Sequence, residues 1–250
     1  SDGIREFVDE HHLNTDHEGW NFRHIFGTYT EQDRHYNTNR VWYGQKYFNP
    51  EIEQDPQDGD LPFIRKASKK IAKEDVEFVL GSHYQDTPYD PFGKGTDEEK
   101  HRYRPIGLNR TQNSHILQIR NGVPEDKAAI MWLCIGGPAF TPYVPFFANM
   151  NDTDPSYNNT SMEYNMKDAW WYYKSFAALV ESHYPQFVQL DITYLTDLNQ
   201  YYRTRVAEIT KNAGNKSGKG LTDYLTKENQ KTVAYTRTKT EKLWGQMMID

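Results

Sequence analysis

The chain has 250 residues and a formal net charge of -6, so nucleic acid is not its default partner, because phosphate binding calls for a basic face. Mean hydropathy is -0.92, and no apolar run approaches the roughly 18 residues that a membrane span needs. A single cysteine, Cys134, excludes an internal disulfide.

At this length one or two domains are allowed and the core can be sizeable. Aromatic residues make up 14% of the chain, with 18 Tyr and 6 Trp. Few aliphatics and many rings point to layers built on large amphipathic side chains, some of them lining a cleft. No signal peptide is legible at the start, so a cytoplasmic protein is expected, with export of a longer parent left open. Asn-x-Ser/Thr sequons at Asn109, Asn151, Asn158, Asn159 and Asn215 read as chance in a chain rich in Asn and Thr.

Residues 4–12 read as a short helix followed by a polar turn. Residues 22–48 mix aromatics with polar groups without a sustained helical period and are expected as strands and loops. The acidic stretch 50–62 carries three prolines and a glycine, the pattern of a surface loop open to nicking. Residues 67–80 predict a helix stopped by Gly81, and residues 87–96 a turn-rich loop. Two strands follow, 115–120 and 128–135, with Asn121-Gly122 opening their connection. The second strand is apolar throughout, so both of its faces are expected to be buried. Residues 136–161 form a long loop with prolines at 138, 142, 145 and 155, whose aromatics favour an ordered, functional segment.

The last third is helical. Met166, Ala169, Trp170, Tyr173, Phe176, Ala177 and Val180 form one stripe, with Asn165 as N-cap. Trp171 and Tyr172 fall on its flanks, so the Trp170–Tyr173 cluster reads as core packing rather than a sugar platform. Pro185 fits the first turn of the next helix, whose stripe is Phe187, Leu190, Tyr194, Leu198, Tyr201, Arg205 and Ile209. Residues 212–219 break it, and Thr222 caps a third helix running towards Trp244.

The most informative stretch is 101–120, HRYRPIGLNRTQNSHILQIR. It puts the guanidinium of Arg110, carboxamides and the imidazole of His115 at the mouth of a strand, and such groups bind carboxylates and oxyanions. This run resembles the bacterial dipeptidase A family, cysteine peptidases of the N-terminal-nucleophile class. Residues 33–45 (DRHYNTNRVWYGQ) and 136–145 (GGPAFTPYVP) resemble the same family. The resemblance covers essentially the whole chain and corresponds to about the second half of a family member. Family members use a cysteine at the mature N-terminus. This chain starts at Ser1, so the resemblance implies a C-terminal portion without its nucleophile, inactive alone.

The chemistry that the resemblance implies needs a thiolate, a base and donors for the tetrahedral oxyanion. The α-amine of the N-terminal cysteine serves as base. A dipeptide also presents a free ammonium and a free carboxylate. Arg110 is the first candidate for the electrostatic role, since an arginine late in the chain sits against the nucleophile in related enzymes, with Asn109 as donor beside it. The plain alternative is a loop arginine pairing with a surface carboxylate. His115 is a candidate orienting group, against the commoner structural histidine at a strand start. Asn37 and Arg40 are candidates for the active-site wall, against a turn held by Asn side chains. Gly137, Phe140 and Tyr143 are candidates for the substrate pocket, against a proline-stiffened surface loop.

Cys134 lies in an apolar strand that raises a thiol pKa and keeps it inert. Of the histidines, His11, His12, His17, His24 and His35 lie early, but no His-Glu-x-x-His and no helical pair is present, so no metal or other cofactor is expected.

The expected architecture is α+β, part of a layered αββα sandwich as the resemblance implies, with a helical C-terminal region. Segments 1–100, 101–161 and 162–250 together make one compact unit. The expected partners are a dipeptide, the missing N-terminal part and, through an exposed apolar face, further copies of the chain. Two other readings stand beside this one. A peptide- or carbohydrate-binding module would use exposed aromatics, and a metal-dependent hydrolase would need bound metal.

Overall fold

The computed structural model describes residues 2–14, 19–28 and 30–249; His17, one of the early histidines, lies outside them. The chain divides into two compact units, Ser1–Lys69 with Arg102–Arg104, and Lys70–His101 with Pro105–Asp250.

In the first unit the described elements are helical: α1 (Ile4–Glu10), α2 (Phe22–Phe26), α3 (Glu31–Tyr36) and α4 (Thr38–Phe48). The strands and loops expected over residues 22–48 are therefore corrected to helices, and local capping explains why. Asn21 Oδ1 accepts from the backbone N–H of Arg23 and His24, at 3.1 and 3.4 Å, to open α2. The Thr30 N–H and hydroxyl both donate to the Asp33 carboxylate at 3.0 Å, closing the first turn of α3. Hydrogen bonds from Thr28, the Thr30 backbone and Asn37 hold the Asp33 carboxyl down to about 2. Helix α4 buries Thr38, Asn39, Trp42 and Tyr43, a helical stripe that is half polar and so carries no hydrophobic period.

No helix or strand occurs between Asn49 and Ala72, as the prolines require. The stretch is pinned by Trp42 Nε1 donating to Gln54 O at 2.9 Å and Gln45 Nε2 to Pro62 O at 2.6 Å.

The second unit is α+β. It contains α5 (Lys73–Leu80), α6 (Asp97–Arg102, whose last residue falls in the first unit), β1 (Asn113–Ile119), α7 (Glu125–Ala128), β2 (Ala129–Ile135) and β3 (Val144–Phe147). Then come α8 (Pro155–Asn158), α9 (Ala169–Ser182), α10 (Tyr184–Ala213) and α11 (Gly218–Met247). Helix α5 starts six residues later than expected, because the Asp75 carboxylate accepts from the Ala72 N–H at 2.7 Å and fixes the start there.

The strands form one antiparallel sheet in the order β1-β2-β3, with Ile116 opposite Trp132 and Met131 opposite Phe146. Strand β3 and helix α8 interrupt what reads in the sequence as a single long loop. On β2 only the face bearing Ile130, Trp132 and Cys134 is fully buried, while Ala129, Met131, Leu133 and Ile135 are half-buried. That corrects the expected burial of both faces. On β1 the same open side leaves Leu117 and Ile119 exposed, at 73% and 79%.

Helices α10 and α11 form an antiparallel hairpin on the buried side of the core. Tyr194 OH lies 2.6 Å from Thr240 Oγ1 and Tyr202 OH 2.8 Å from Thr236 Oγ1. Thr232, Thr236 and Thr240 each donate to a carbonyl one turn back, at 2.9–3.0 Å, so buried hydroxyls are satisfied. Three boundary details differ from expectation. Asp168, not Asn165, is the N-cap of α9, and it accepts from Ser161 N–H and hydroxyl at 2.8 and 2.6 Å. Tyr172 is buried in the α9 core stripe rather than on its flank. Helix α11 begins at Gly218 behind Ser217, and Thr222 lies inside it, its hydroxyl donating to Gly218 O at 3.0 Å.

Candidate functional site

The site grows from the C-terminal end of α5. Gly81 stops that helix, and its neighbours leave no room for a side chain. A Cβ on Gly81 would lie 2.4 Å from Pro138 O, and one on Gly107 would lie 2.5 Å from Gly81 O. Gly107 N–H also donates to Ser82 O at 2.8 Å. These contacts clamp three backbone segments together: the end of α5, the turn before Asn109 and the loop after β2.

The loop from Ser82 to Phe92 is tied by its own polar groups. Ser82 Oγ lies 3.1 Å from Gln85 Oε1, which also accepts from His83 N–H at 3.1 Å. Tyr84 and Asp86 take positive φ, 68° and 62°, a conformation held by this surrounding structure. The loop presents a buried His83, whose Nδ1 is 2.8 Å from Asp90 Oδ1. The same oxygen accepts from Phe92 N–H at 2.9 Å. A carboxylate on Nδ1 favours the tautomer with the proton there, which leaves Nε2 as an acceptor. Phe92 and Tyr184 meet the His83 ring edge-on, at 5.0 and 5.6 Å.

Two cavities adjoin His83, Ala139 and Phe140. The first, about 280 Å³, lies between α5, the 138–143 loop and α10. The second, about 240 Å³, is bounded by the Gly107–Asn109 turn, Phe92, Gly137 and Glu181. On the rim of the first is a buried ion pair. Lys73 Nζ donates to Glu77 Oε1 at 2.5 Å and to Asn199 Oδ1 at 2.9 Å, and Asn199 Nδ2 donates to Glu77 Oε2 at 3.0 Å. Lys73 also sits 4.3 Å from the Trp132 ring centroid. Burial raises the Glu77 carboxyl above its ordinary value, and Lys73 opposes that rise.

The residues singled out from sequence distribute as follows. Asn109, Gly137 and Phe140 line one cavity, and Phe140 and Tyr143 line the other. Asn109 Nδ2 donates to Glu181 Oε1 at 3.2 Å, and Lys174 Nζ donates to Asn109 O. Tyr143 is buried and its hydroxyl donates to Ser114 Oγ at 2.7 Å; burial pushes its phenol up. Arg110 is exposed in the turn and lines neither cavity. His115 is exposed on β1, paired with Leu133, and also lines neither. Asn37 and Arg40 belong to the first unit. Asn37 Nδ2 donates to Asp33 Oδ1 at 2.8 Å between α3 and α4, and Arg40 Nε donates to Arg104 O at 3.4 Å.

Cys134 is fully buried, with Sγ 3.0 Å from Thr141 Oγ1, and desolvation pushes its thiol up to about 12. Among the described residues no group of three or more His, Cys, Asp or Glu side chains is placed to hold a metal ion. Among them, too, no helix is long and apolar enough to cross a membrane.

Sequence reasoning missed His83, Asp90, Asp191 and the Lys73–Glu77–Asn199 triad. A signal existed for one of them: Asp191 falls on the buried stripe of α10, one turn after Phe187 and one turn before Tyr194. A charge on an apolar stripe is the kind of exception that marks a site.

Comparison with known proteins places the chain in a family. The chain belongs to peptidase family C69, whose model matches residues 1–197. It is 49% identical over 250 residues to a probable dipeptidase of Latilactobacillus sakei, covering all of this chain and 52% of that protein. It is 40% identical over 247 residues to dipeptidase A of Lactobacillus helveticus, covering 98% of this chain and 52% of the relative. A dipeptidase of Bifidobacterium longum is 36% identical over 194 residues, 72% of this chain and 36% of its own length. The chain spans about half the length of the first two relatives.

Proposed function

We propose that the protein to which this chain belongs hydrolyses dipeptides through a cysteine thioester. The observation that carries this reading is membership of peptidase family C69, with 49% identity along the whole chain to a probable dipeptidase. The thiolate attacks the single peptide carbonyl, the C-terminal amino acid leaves with a proton, and water then hydrolyses the aminoacyl thioester. Cys134 is not that nucleophile. Its thiol is buried among apolar side chains and pushed up to about 12, so it carries almost no thiolate. The nucleophile is a cysteine outside these residues, and the chain alone is inactive.

In this reading Asn109 and Arg110 supply charge and donors near the oxyanion and the substrate carboxylate, from a turn fixed by the Gly81–Gly107 contact. Gly137, Phe140 and Tyr143 form the pocket wall, and Asn37, Arg40 and His115 are candidates for substrate contact. The open apolar side of the sheet, at Leu117 and Ile119, is covered by the remaining part of the protein in an αββα sandwich.

The test is turnover by the intact protein on dipeptides, tripeptides and N-acetylated dipeptides, with hydroxylamine present to trap a thioester as the hydroxamate. Dipeptide cleavage with hydroxamate formation, abolished by thiol alkylation, is the expected result. Equal cleavage of tripeptides, or cleavage that survives alkylation, would overturn the reading.

A further inference from the structure

Among the described residues, Asp191 is a buried carboxyl that the fold leaves partly unmet. It is 1% exposed on α10, and its Oδ1 is buried without a hydrogen-bond partner. The Lys73 ammonium of the neighbouring ion pair is already bonded to Glu77 and Asn199. Leaving a buried carboxyl oxygen unmet costs several kcal/mol, unless a group from outside comes to it.

Asp191 lines the 280 Å³ cavity, and what surrounds it describes that group. Glu74 and Glu77 line the same cavity but are already paired, Glu77 with Lys73 at 2.5 Å and Glu74 with Lys73 and Arg203 at 3.5 and 3.3 Å, so Asp191 is the lining carboxyl outside these ion pairs. Tyr184 and Phe140 supply ring surface 6.1 Å apart, with Phe92 stacked 4.1 Å from Tyr184, and ring faces attract cations. Phe78, Val188 and Leu195 complete an apolar wall. The volume lies at the small end of ligand sites, enough for one amino-acid-sized group.

We propose that this cavity holds the amino-terminal residue of the substrate, with Asp191 accepting hydrogen bonds from its α-ammonium and the apolar wall receiving its side chain. This inference rests on the dipeptide reading above. An ammonium is compact and carries three donors, which suits a cavity-lining carboxyl with a buried, unpartnered oxygen. Burial holds the Asp191 carboxyl well above the ordinary carboxylate range, and an arriving cation restores its ionised form. The same pairing would distinguish dipeptides with a free amine from N-blocked ones.

The test has two arms, so that failure of the inference and failure of the dipeptide reading separate. In the first, the full chain is titrated with n-butylammonium chloride against sodium chloride at equal ionic strength, and its melting temperature is followed. Saturable stabilisation in the millimolar range is expected for the natural chain and absent in Asp191→Asn. No saturable stabilisation, or the same stabilisation in the variant, would overturn the proposal whether or not the protein cleaves dipeptides. Asp191→Asn without ligand should melt at or above the natural chain, because it removes a carboxyl that must take up a proton to be buried. Asp191→Ser is the second variant should the amide misfold. In the second arm, Asp191→Asn in the intact enzyme raises KM for a leucyl dipeptide by about tenfold or more, the scale of a charge-assisted hydrogen bond, with kcat little changed. An unchanged KM beside normal natural-enzyme turnover would sink the assignment of Asp191 and leave the dipeptide reading standing.

Discussion

Replacing Lys73 by Met isolates the energetics of the cavity rim. Lys73 and Glu77 side chains are 8% and 9% exposed and 2.5 Å apart. At an effective dielectric of about 20, two unit charges at that distance attract by roughly 6–7 kcal/mol. The net cost of removing the lysine is smaller, because Asn199 still donates to Glu77 and the carboxyl can escape by taking up a proton. A loss of about 3–5 kcal/mol near neutral pH is expected, the usual result of stranding one member of a buried pair. The pH dependence follows from the direction of the shift. Burial already raises Glu77 above its unfolded value, and loss of Lys73 raises it further. In the window between the natural and variant values the native variant holds a proton that the unfolded chain has released. Its stability therefore falls as pH rises, by about 1.4 kcal/mol per pH unit. Urea denaturation at about pH 5 and about pH 8 reads this directly, with a larger deficit at the higher pH. Lys73→Met combined with Glu77→Leu should recover much of the loss. A deficit below about 1 kcal/mol at both pH values, the scale of a surface pair, would show that Lys73 and Glu77 do not act as a buried ion pair.

Other expectations follow from single contacts. Cys134, with its thiol near 12, should carry thiolate in roughly one molecule in 10⁴ at about pH 8. Iodoacetamide should label it only after denaturation, and rapid native labelling would contradict its burial. Gly107→Ala brings a Cβ within 2.5 Å of Gly81 O; a loss of about 1–3 kcal/mol is expected in chemical denaturation. Arg110→Ala in the intact enzyme should lower turnover by about 100-fold, the scale of losing one oxyanion-type donor. Near-normal kinetics would remove Arg110 from the site.

The parts of this fold that were legible in the sequence are those where apolar period and structure coincide. The β1–β2 pair and the presence of α9 and the long α10 follow from residues such as Ile130, Phe176 and Leu198, whereas the stripes are corrected in part: Met166 precedes α9, Trp170, Leu190, Tyr201 and Arg205 are half-buried, and Tyr172, Asp191, Tyr202 and Val206 take core positions. Residues 22–48 were not legible, because caps at Asn21 and Thr30 and a half-polar stripe at Thr38, Asn39, Trp42 and Tyr43 leave no clean hydrophobic repeat. Much of the buried face of α11 was hidden for a related reason: it is built of threonines whose hydroxyls return to the preceding turn, so core positions look polar. The candidate site divides in the same way. Asn109, Gly137 and Phe140 were found through motif and loop chemistry and do line one cavity. His83 with Asp90 and Lys73 with Asn199 are pairings across 7 and 126 positions of sequence, which no local pattern announces, whereas Lys73–Glu77 is an i,i+4 helical pair whose burial the sequence does not reveal. Asp191 alone broke a visible pattern.

The proposed function makes these residues part of a dipeptide-cleaving enzyme whose nucleophile lies elsewhere in the protein. It is tested most directly by incubating a panel of dipeptides with this chain alone, and with this chain mixed with the remaining part of the protein bearing its cysteine. Release of free amino acids is expected only from the mixture. Turnover by this chain alone, in particular turnover abolished by replacing Cys134, would contradict it.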